Sequence, residues 1–207
     1  MALVERSVRD LIAAFSSTDP TPGGGSASAL ASSVGAALLI MVTGLPKTRD
    51  GSDQDRSALA SAAATLLGVR TELVNAIDAD TAAYDQVVAA YRLPKASPGQ
   101  IHARSDAIQR ALRLATDVPL SVMRLSAQAL EQAGVVAAHG HRAAASDVGV
   151  AAALLHAGAA GARLNVEINI DSVSDPAYGA AVRAEVRDLS AAIDSWDHAV
   201  DSALRKR

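Results

Sequence analysis

The sequence predicts an all-α fold, and three observations support this class. Half of the 207 residues are hydrophobic but only 2% are aromatic, so the core must consist mainly of Ala, Leu, Val and Ile. Alanine is the strongest helix former, and small side chains let helices approach closely. Apolar residues recur at helical spacing along most of the chain, whereas the one alternating stretch, residues 166–170, is too short and isolated for a sheet.

The first half of the chain contains three predicted helices. Residues 5–16 carry apolar side chains at helical spacing and form the first helix. Residues 19–25 include two prolines and three glycines, which end it. Ser26 is a suitable N-cap for a second helix that runs to Leu45. After a loop, residues 53–91 contain no proline and repeat their apolar positions, which predicts one long helix.

The second half predicts three more helices. A connection containing proline and glycine precedes the fourth, which spans residues 100–136 with a kink at Pro119, because proline lacks a backbone N–H. Gly140 marks the next turn, and helices follow over residues 144–165 and from Pro176 onward. We therefore expect a single domain built as a long-helix bundle. Long helices with small apolar faces often pair with a second copy, so we also expect a homodimer with helices packed across the interface.

Composition excludes several classes of function. The formal net charge is −3 and the pI about 5.9, so the chain has no basic field to attract nucleic acid. The absence of cysteine rules out disulfides, thiolate catalysis and cysteine-bound zinc. The N-terminus lacks the basic and then apolar layout of a secretory signal. We therefore expect a cytoplasmic protein without a nucleic-acid partner.

One segment must be weighed as a membrane span, because residues 21–46 carry no charge and are long enough to cross a bilayer. The segment opens with a proline–glycine cluster and contains several serines, and the flanking helices are amphipathic. We interpret it as the buried central helix of a bundle, and we expect the single domain of residues 1–207 to have no membrane partner.

The long third helix contains one carboxylate out of place. One face of this helix, at steps of three or four residues, consists of Leu66, Val69, Leu73, Ile77, Asp80, Tyr84, Val87 and Tyr91. A carboxylate in this apolar stripe needs hydrogen bonds or a cation, or its pKa rises. The pattern is compatible with a buried ion pair, with a wheel misread by one step, or with a catalytic acid–base group. Asp78, about 200° away on the wheel, is expected to face water.

A glycine-rich turn precedes the second helix. Gly23, Gly24 and Gly25, which follow Pro22, allow close backbone approach, and the helix start at Ser26 offers free N–H groups at the positive end of the helix dipole. This arrangement suits a phosphate, a carboxylate or a ring carbonyl. The lysine of a Walker loop is missing and no strand precedes the turn, which argues against a dinucleotide site. The glycines can equally serve only a sharp interhelical turn.

Three further groups are weaker candidates. Ser146 and Asp147 begin the fifth helix, where Asp147 can simply favour the positive helix end. Arg92 and Lys95 follow the long helix, where they can attract an anionic substrate tail or remain solvated. The two histidines of residues 139–141 lack a third ligand at a recognisable spacing, so we expect a surface pair and no metal site.

Taken in order, these features resemble the cyclodeaminase/cyclohydrolase family of folate enzymes. That family includes the C-terminal domain of formiminotransferase-cyclodeaminase and stand-alone bacterial methenyltetrahydrofolate cyclohydrolases. The resemblance covers nearly the whole chain and rests on Thr21-Pro-Gly-Gly-Gly-Ser26, Asp78-Ala-Asp80, Tyr91-Arg-Leu-Pro-Lys95, Ala115-Thr-Asp-Val-Pro-Leu120, Ser146-Asp-Val-Gly-Val-Ala151 and Leu164-Asn-Val-Glu-Ile-Asn-Ile170. Each segment alone is weak, but six in register are specific.

The resemblance implies an all-helical homodimer that acts on one-carbon units of tetrahydrofolate, without a metal and without any cofactor beyond the folate substrate. It also implies that the second carboxylate of the Asp-Ala-Asp segment, Asp80, is catalytic. Together with the candidates above, it assigns substrate binding to Pro22, Gly23, Gly24, Gly25, Ser26, Tyr84, Arg92, Lys95, Ser146, Asp147 and Asn165.

The absence of an attached transferase domain favours methenyltetrahydrofolate cyclohydrolase, which hydrolyses 5,10-methenyltetrahydrofolate to 10-formyltetrahydrofolate. The alternatives are formimidoyltetrahydrofolate cyclodeaminase, which releases ammonia, and a non-catalytic folate-binding helical dimer. The sequence departs from the family at residues 140–143, where members often carry a Gly-Asn-x-Asn turn. It also retains only Lys47 and Arg49 of a basic cluster, and both departures bear on folate-tail contacts or substrate choice.

Overall fold

The computed structural model describes residues 2–205 and contains six α-helices. They are α1 (Val8–Phe15), α2 (Gly24–Thr43), α3 (Asp53–Tyr91), α4 (Pro98–His139), α5 (Ala145–Ile170) and α6 (Pro176–Arg205). Short 3₁₀ turns, Leu3–Glu5 and Arg142–Ala144, precede α1 and α5. No β-strand occurs between residues 2 and 205; residues 48 and 140 form an isolated bridge. The predicted all-α class is confirmed.

Most helix boundaries follow local signals that the sequence displays. α3 begins and ends at the predicted residues, and the Ser52 side chain caps its first turn. α4 begins slightly before the predicted start, at Pro98, because Ser97 and Gln100 form a capping box. α5 continues through the alternating stretch as far as Ile170, so that stretch is helical.

Helices α2, α3, α4 and α5 form a four-helix bundle in which each helix packs against two main neighbours, and α6 covers α4 and α5. The core between them is aliphatic, as the composition predicts. Its largest fully buried side chains include Leu39, Leu66, Leu73, Leu120, Met123, Leu130 and Leu155. Leu66 and Leu73 belong to the stripe identified on α3, so this stripe faces the core up to the position of Asp80.

The close contact between α2 and α5 depends on small residues. A Cβ atom on Gly158 of α5 would lie 2.6 Å from the backbone oxygen of Ser28 on α2 and would overlap the Ser32 hydroxyl. Larger side chains at Gly158 would therefore push the two helices apart. This contact fixes the lateral position of α5, and with it the position of Asn165, beside the start of α2.

Two helical segments, α2 and Arg142–Ile170, are long and apolar enough to cross a membrane by length and composition alone. Just over half of the apolar window of α2, 56%, is buried in the bundle, so packing accounts for part of its hydrophobic character. The outer sides of these adjacent helices nevertheless expose Val34, Met41, Val150, Leu164 and Ile168. We refer to these five side chains as the α2–α5 face.

A buried carboxylate fastens the loop between α2 and α3. Asp55 accepts hydrogen bonds from the backbone N–H of Asp50 (2.8 Å) and the Thr48 hydroxyl (3.1 Å), and it lies 2.8 Å from Nδ1 of His139. The bond from Asp50 and the contact with His139 lower the pKa of Asp55 to about 2. His139 is therefore held in a polar cluster at the end of α4, which corrects its expected position at the surface.

Candidate active site

Asp80 of α3 lies against the first turn of α2. Its Oδ2 atom accepts a hydrogen bond from the backbone N–H of Ser26 (2.8 Å) and lies 3.1 Å from the Ser26 hydroxyl. The first N–H groups of a helix lack partners within the helix and form its positive end. α2 begins at Gly24 without a side-chain cap from its N-cap residue, Gly23. The predicted N-cap at Ser26 is thus wrong, because a carboxylate from another helix binds this end.

Gly25 is required for this contact. A Cβ atom at this position would overlap the carboxyl group of Asp80 and would lie 2.7 Å from its more distant oxygen, Oδ2. Real Cβ atoms essentially never approach another atom so closely. One of the three consecutive glycines therefore has a specific task, which is to admit the Asp80 carboxylate to the helix start.

Asp80 is partly buried, and burial raises the pKa of its carboxyl group, while the two hydrogen bonds from Ser26 act in the opposite direction. None of the ion pairs found between residues 2 and 205 includes Asp80. The structure thus contradicts the ion-pair interpretation for the described residues. A carboxyl group whose pKa lies above its usual value is a stronger base when it is ionised, which suits acid–base chemistry.

The Ser26 hydroxyl can serve both protonation states of Asp80. Its single proton can be donated to the backbone oxygen of Ile77 at 2.8 Å or to Oδ2 of Asp80 at 3.1 Å, and the Thr81 hydroxyl lies 3.4 Å away. When Asp80 is ionised, the hydroxyl can donate to the carboxylate. When Asp80 is protonated, the hydroxyl can turn to Ile77 and accept from the carboxylic acid. Ser26 can therefore keep a hydrogen bond with Asp80 in both protonation states of the carboxyl group.

An open cleft of about 300 Å³ exposes one side of the Asp80 carboxyl group. Its lining comes from α2, α3, α4, α5 and the turn before α2 and consists of Pro20, Thr21, Gly23, Gly24, Gly25, Asp80, Tyr84, Val87, Leu112, Ala115, Asn165 and Asn169. Four helices thus contribute to one site.

Several residues assigned by sequence meet in this cleft, and others support it from outside. Gly23, Gly24, Gly25, Tyr84 and Asn165 line it together with Asp80. Pro22 belongs to the glycine-rich turn but is not among the residues that line the cleft. Ser26 is fully buried and bonds to the Asp80 carboxylate through its backbone N–H. The turn is therefore part of the site as well as an interhelical connection.

Asn169 is a cleft residue that the sequence interpretation missed. It follows Asn165 by four residues, so both amides lie on one face of α5. Two asparagines one helical turn apart were an available signal. The apparent strand pattern of residues 166–170 concealed it.

Arg92 and Lys95 lie outside the cleft. Both are exposed, and α3 ends at Tyr91. Arg92 follows Asp80 by twelve residues, which corresponds to about 18 Å along the helix axis. The structure therefore leaves these two side chains available only to a long substrate that extends from the cleft.

Ser146 and Asp147 are separated from the cleft within one chain. Asn165 follows Asp147 by eighteen residues of α5, which places them about 27 Å apart along the axis. Ser146 is exposed and Asp147 is half-buried. A helical wheel projects both ends of α5 onto one stripe and so conceals this axial distance. Within one chain, Ser146 and Asp147 are therefore too far from Asp80 to bind a substrate in its cleft.

Two other expectations need correction or restriction. Asp78 was expected to face water, but its carboxylate accepts backbone N–H bonds from Leu3 (2.5 Å) and Val4 (3.4 Å) and so binds the N-terminal 3₁₀ turn. Within residues 2–205, no group of three or more His, Cys, Asp or Glu side chains is close enough to hold a metal ion.

The fold and the cleft define a class of protein: an all-helical enzyme domain with one carboxylic acid at a glycine-rich helix start. A model of the family described as formiminotransferase-cyclodeaminase matches residues 7–188. This chain belongs to that family, as its sequence motifs predict.

The relatives include proteins with two related names. A methenyltetrahydrofolate cyclohydrolase from Methylorubrum extorquens is 32% identical over 201 residues, which cover 97% of both chains. A formimidoyltransferase-cyclodeaminase from Sus scrofa is 31% identical over 188 residues, which cover 91% of this chain and 35% of that protein. The solved structure of a formiminotetrahydrofolate cyclodeaminase from Thermotoga maritima matches with a TM-score of 0.85 and 25% identity, covering 97% of this chain and 96% of the other.

Proposed function

We propose that this protein is a methenyltetrahydrofolate cyclohydrolase, which converts 5,10-methenyltetrahydrofolate and water into 10-formyltetrahydrofolate and a proton. The observation that carries the proposal is the full-length match to a cyclohydrolase of similar size. The position of Asp80 supports it, because a carboxyl group with a raised pKa faces an open cleft. We also propose that the enzyme needs no metal and no cofactor beyond its folate substrate, and that it acts in the cytoplasm.

The chemistry requires one group that accepts and returns a proton. The substrate is a cation whose charge is spread over N5, the bridging carbon and N10, and ionised Asp80 stabilises this charge. Asp80 takes a proton from the water that attacks the bridging carbon, which leaves a neutral tetrahedral intermediate. Protonated Asp80 then donates to N5 as the bond between N5 and the carbon breaks. The hydroxyl group loses its proton to solvent and becomes the formyl oxygen.

The second candidate is formimidoyltetrahydrofolate cyclodeaminase, which the structural likeness to the Thermotoga protein favours. In that reaction N10 attacks the formimino carbon of 5-formiminotetrahydrofolate, and the former imino nitrogen leaves as ammonia. Protonated Asp80 would donate to this leaving nitrogen. One carboxyl group with a raised pKa serves either direction of proton transfer, so substrate choice must come from contacts elsewhere in the cleft.

The folate tail is longer than the cleft, and we propose that its glutamate carboxylates extend along α3 toward Arg92 and Lys95, which are exposed beyond the end of that helix.

Turnover of both folate substrates tests the proposed activity. We expect the protein to accelerate the loss of the near-ultraviolet absorbance of 5,10-methenyltetrahydrofolate, after subtraction of spontaneous hydrolysis. Release of ammonia from 5-formiminotetrahydrofolate at a higher kcat/KM would instead establish the cyclodeaminase. Tight binding of 5-formyltetrahydrofolate with turnover of neither substrate would contradict both enzymes and favour a folate-binding protein.

Ser26→Ala is expected to move the pH dependence of the reaction. The Ser26 hydroxyl lowers the pKa of Asp80, so its removal raises this pKa further. Asp80 must be ionised to activate water, and activity is lost as the pH falls through its pKa. The acid limb of the profile of kcat/KM against pH should therefore move to higher pH. Ser33→Ala is the control, because its hydroxyl bonds to the backbone oxygen of Leu30. An unmoved acid limb in Ser26→Ala would refute this role.

We propose that the α2–α5 face is the interface of a homodimer. Its apolar side chains follow two adjacent helices over most of their length, and Ile168 is 73% exposed in the single chain. An apolar patch of this kind on a soluble protein usually marks an association site. A two-fold axis through the middle of the face would bury these five side chains of both protomers in one interface, since each contact occurs in both directions.

Charge at the α2–α5 face tests the dimer. In sedimentation velocity we expect the wild type at twice the mass of the 21.1 kDa chain. Val150→Glu combined with Leu164→Glu should give monomers, because a two-fold interface would bury four like charges. Leu67→Glu is the control, since Leu67 is 46% exposed on α3, outside the face. A wild-type monomer, or a dimer that survives the double substitution, would contradict the proposed interface.

A further inference from the structure

Pro119 removes one hydrogen bond from the backbone of α4. A proline inside a helix has no N–H to donate to the carbonyl group four residues earlier. For Pro119 that group is the carbonyl of Ala115, and Pro119 lies in the interior of α4. Ala115 also lines the cleft beside Asp80. A backbone oxygen without its normal helical partner therefore lies at the edge of the site.

Asn169 of α5 supplies the missing donor. Its side-chain Nδ2 atom donates to the backbone oxygen of Ala115 at 2.7 Å. A carbonyl oxygen can only accept, so the amide nitrogen must face Ala115 and the amide oxygen must point away from it. Between residues 2 and 205, Oδ1 of Asn169 receives no hydrogen bond. The backbone defect at Pro119 thereby fixes the orientation of an amide whose residue lines the cleft.

Asn165 is oriented in a similar manner. Its Nδ2 atom donates to the backbone oxygen of Gly161 at 2.9 Å, which directs the amide oxygen away from its own helix. Asn165 and Asn169 are one turn apart on the same face of α5, and both line the cleft that contains Asp80. Between residues 2 and 205 neither amide oxygen receives a hydrogen bond, so the α5 side of the cleft offers two hydrogen-bond acceptors.

We propose that the amide oxygens of Asn165 and Asn169 form a recognition site for the N–H groups of a fused nitrogen heterocycle, with Asn169 set in place by Pro119. This inference rests on the proposed function, in which the heterocycle is the pterin ring of the substrate. The pyrimidine half of that ring carries a ring N–H and an amino group, which are adjacent donors. Two acceptors match them, while Asp80 reaches the one-carbon bridge at the other half of the ring.

A double substitution separates recognition from structural support. Asn169→Ala removes both the amide oxygen and the donor for Ala115, so this variant alone can also perturb α4. Pro119→Ala restores a backbone N–H that can bond to Ala115. In Pro119→Ala/Asn169→Ala the helix is therefore repaired while the acceptor stays absent. Asn165→Ala supplies a second test, because its amide bonds only within α5.

We expect Asn169→Ala alone to lower the thermal midpoint of unfolding. The double variant should have the same midpoint as Pro119→Ala. Its KM for 5,10-methenyltetrahydrofolate, and its Kd for the stable analogue 5-formyltetrahydrofolate, should remain raised about 5- to 10-fold, the effect of one lost hydrogen bond. Asn165→Ala should raise both constants without lowering the midpoint. If KM and Kd of the double variant equal those of Pro119→Ala, or if Asn165→Ala leaves both unchanged, the recognition site is refuted.

The binding measurement also separates this inference from the proposed activity. Calorimetric titration with 5-formyltetrahydrofolate needs no turnover, so the recognition site is tested even in a protein that hydrolyses nothing. Weakened binding in the double variant and in Asn165→Ala would support the site although the cyclohydrolase assignment had failed. Turnover with unchanged binding in these variants would retain the enzyme and overturn the site.

Discussion

Asp80→Asn is expected to lower kcat for 5,10-methenyltetrahydrofolate about 10²- to 10⁴-fold, which is the usual contribution of a positioned acid–base group. Asparagine has nearly the same shape and can still accept the N–H bond of Ser26 that Asp80 accepts. It cannot take a proton from water, and it does not stabilise the cationic one-carbon bridge. Single-turnover absorbance measurements report the chemical step, and circular dichroism reports the fold.

Asp78→Asn is the matched control for this substitution. Asp78 lies two residues away on the same helix and binds the N-terminal 3₁₀ turn, not the cleft. The same change of charge at this position should leave kcat near the wild-type value. If Asp80→Asn retained kcat within a few-fold of wild type while remaining folded, Asp80 would not be the acid–base group, and the proposed mechanism would fail.

Gly25→Ala is expected to have the second-largest effect, because its Cβ atom would occupy the position of the Asp80 carboxyl group. Either the carboxylate must leave its bonds with Ser26, or α2 must move away from α3. Overpacking of this kind costs about 1–3 kcal/mol of unfolding free energy. We also expect kcat to fall by at least ten-fold, because Asp80 loses the position from which it reaches the substrate. Chemical denaturation and initial rates measure the two effects.

The neighbouring Gly24→Ala is the control for stability. A Cβ atom at Gly24 would find only Nδ2 of Asn165, at an ordinary distance of 3.5 Å. Alanine is favoured over glycine inside a helix by about 0.5–1 kcal/mol. The two substitutions, one residue apart, should therefore change the unfolding free energy in opposite directions. Equal effects of Gly24→Ala and Gly25→Ala would show that the close approach of Asp80 to the helix start is unimportant.

Periodicity within one helix was sufficient to identify Asp80. A 3.6-residue repeat places every member of a stripe on one side of a helix, so one carboxylate among apolar residues is visible without knowledge of its neighbours. The same local rules predicted α3 from Asp53 to Tyr91. They also predicted the non-helical turn rich in glycine and proline before α2, because the conformational preferences of these residues act within a few positions of the chain.

Contacts between segments distant in the sequence decided which partners the site residues have. Ser26 has the side chain of a good N-cap, yet its hydroxyl lies against Asp80 and Ile77, more than fifty residues away. The partnership of Asn169 with Ala115 depends on the register between α4 and α5, which no short-range pattern records.

The sequence by itself thus determined the fold class, the single carboxylate in the apolar stripe of α3 and the glycine-rich turn, because each is a property of local periodicity and backbone preference. Only the tertiary structure decided that Gly25 admits Asp80, that Asn169 repairs the defect at Pro119, and that the cleft lies at the end of α5 remote from Asp147. These facts depend on how far each helix is displaced along its axis relative to its neighbours. That displacement results from packing of the whole bundle, and a helical wheel contains no axial coordinate.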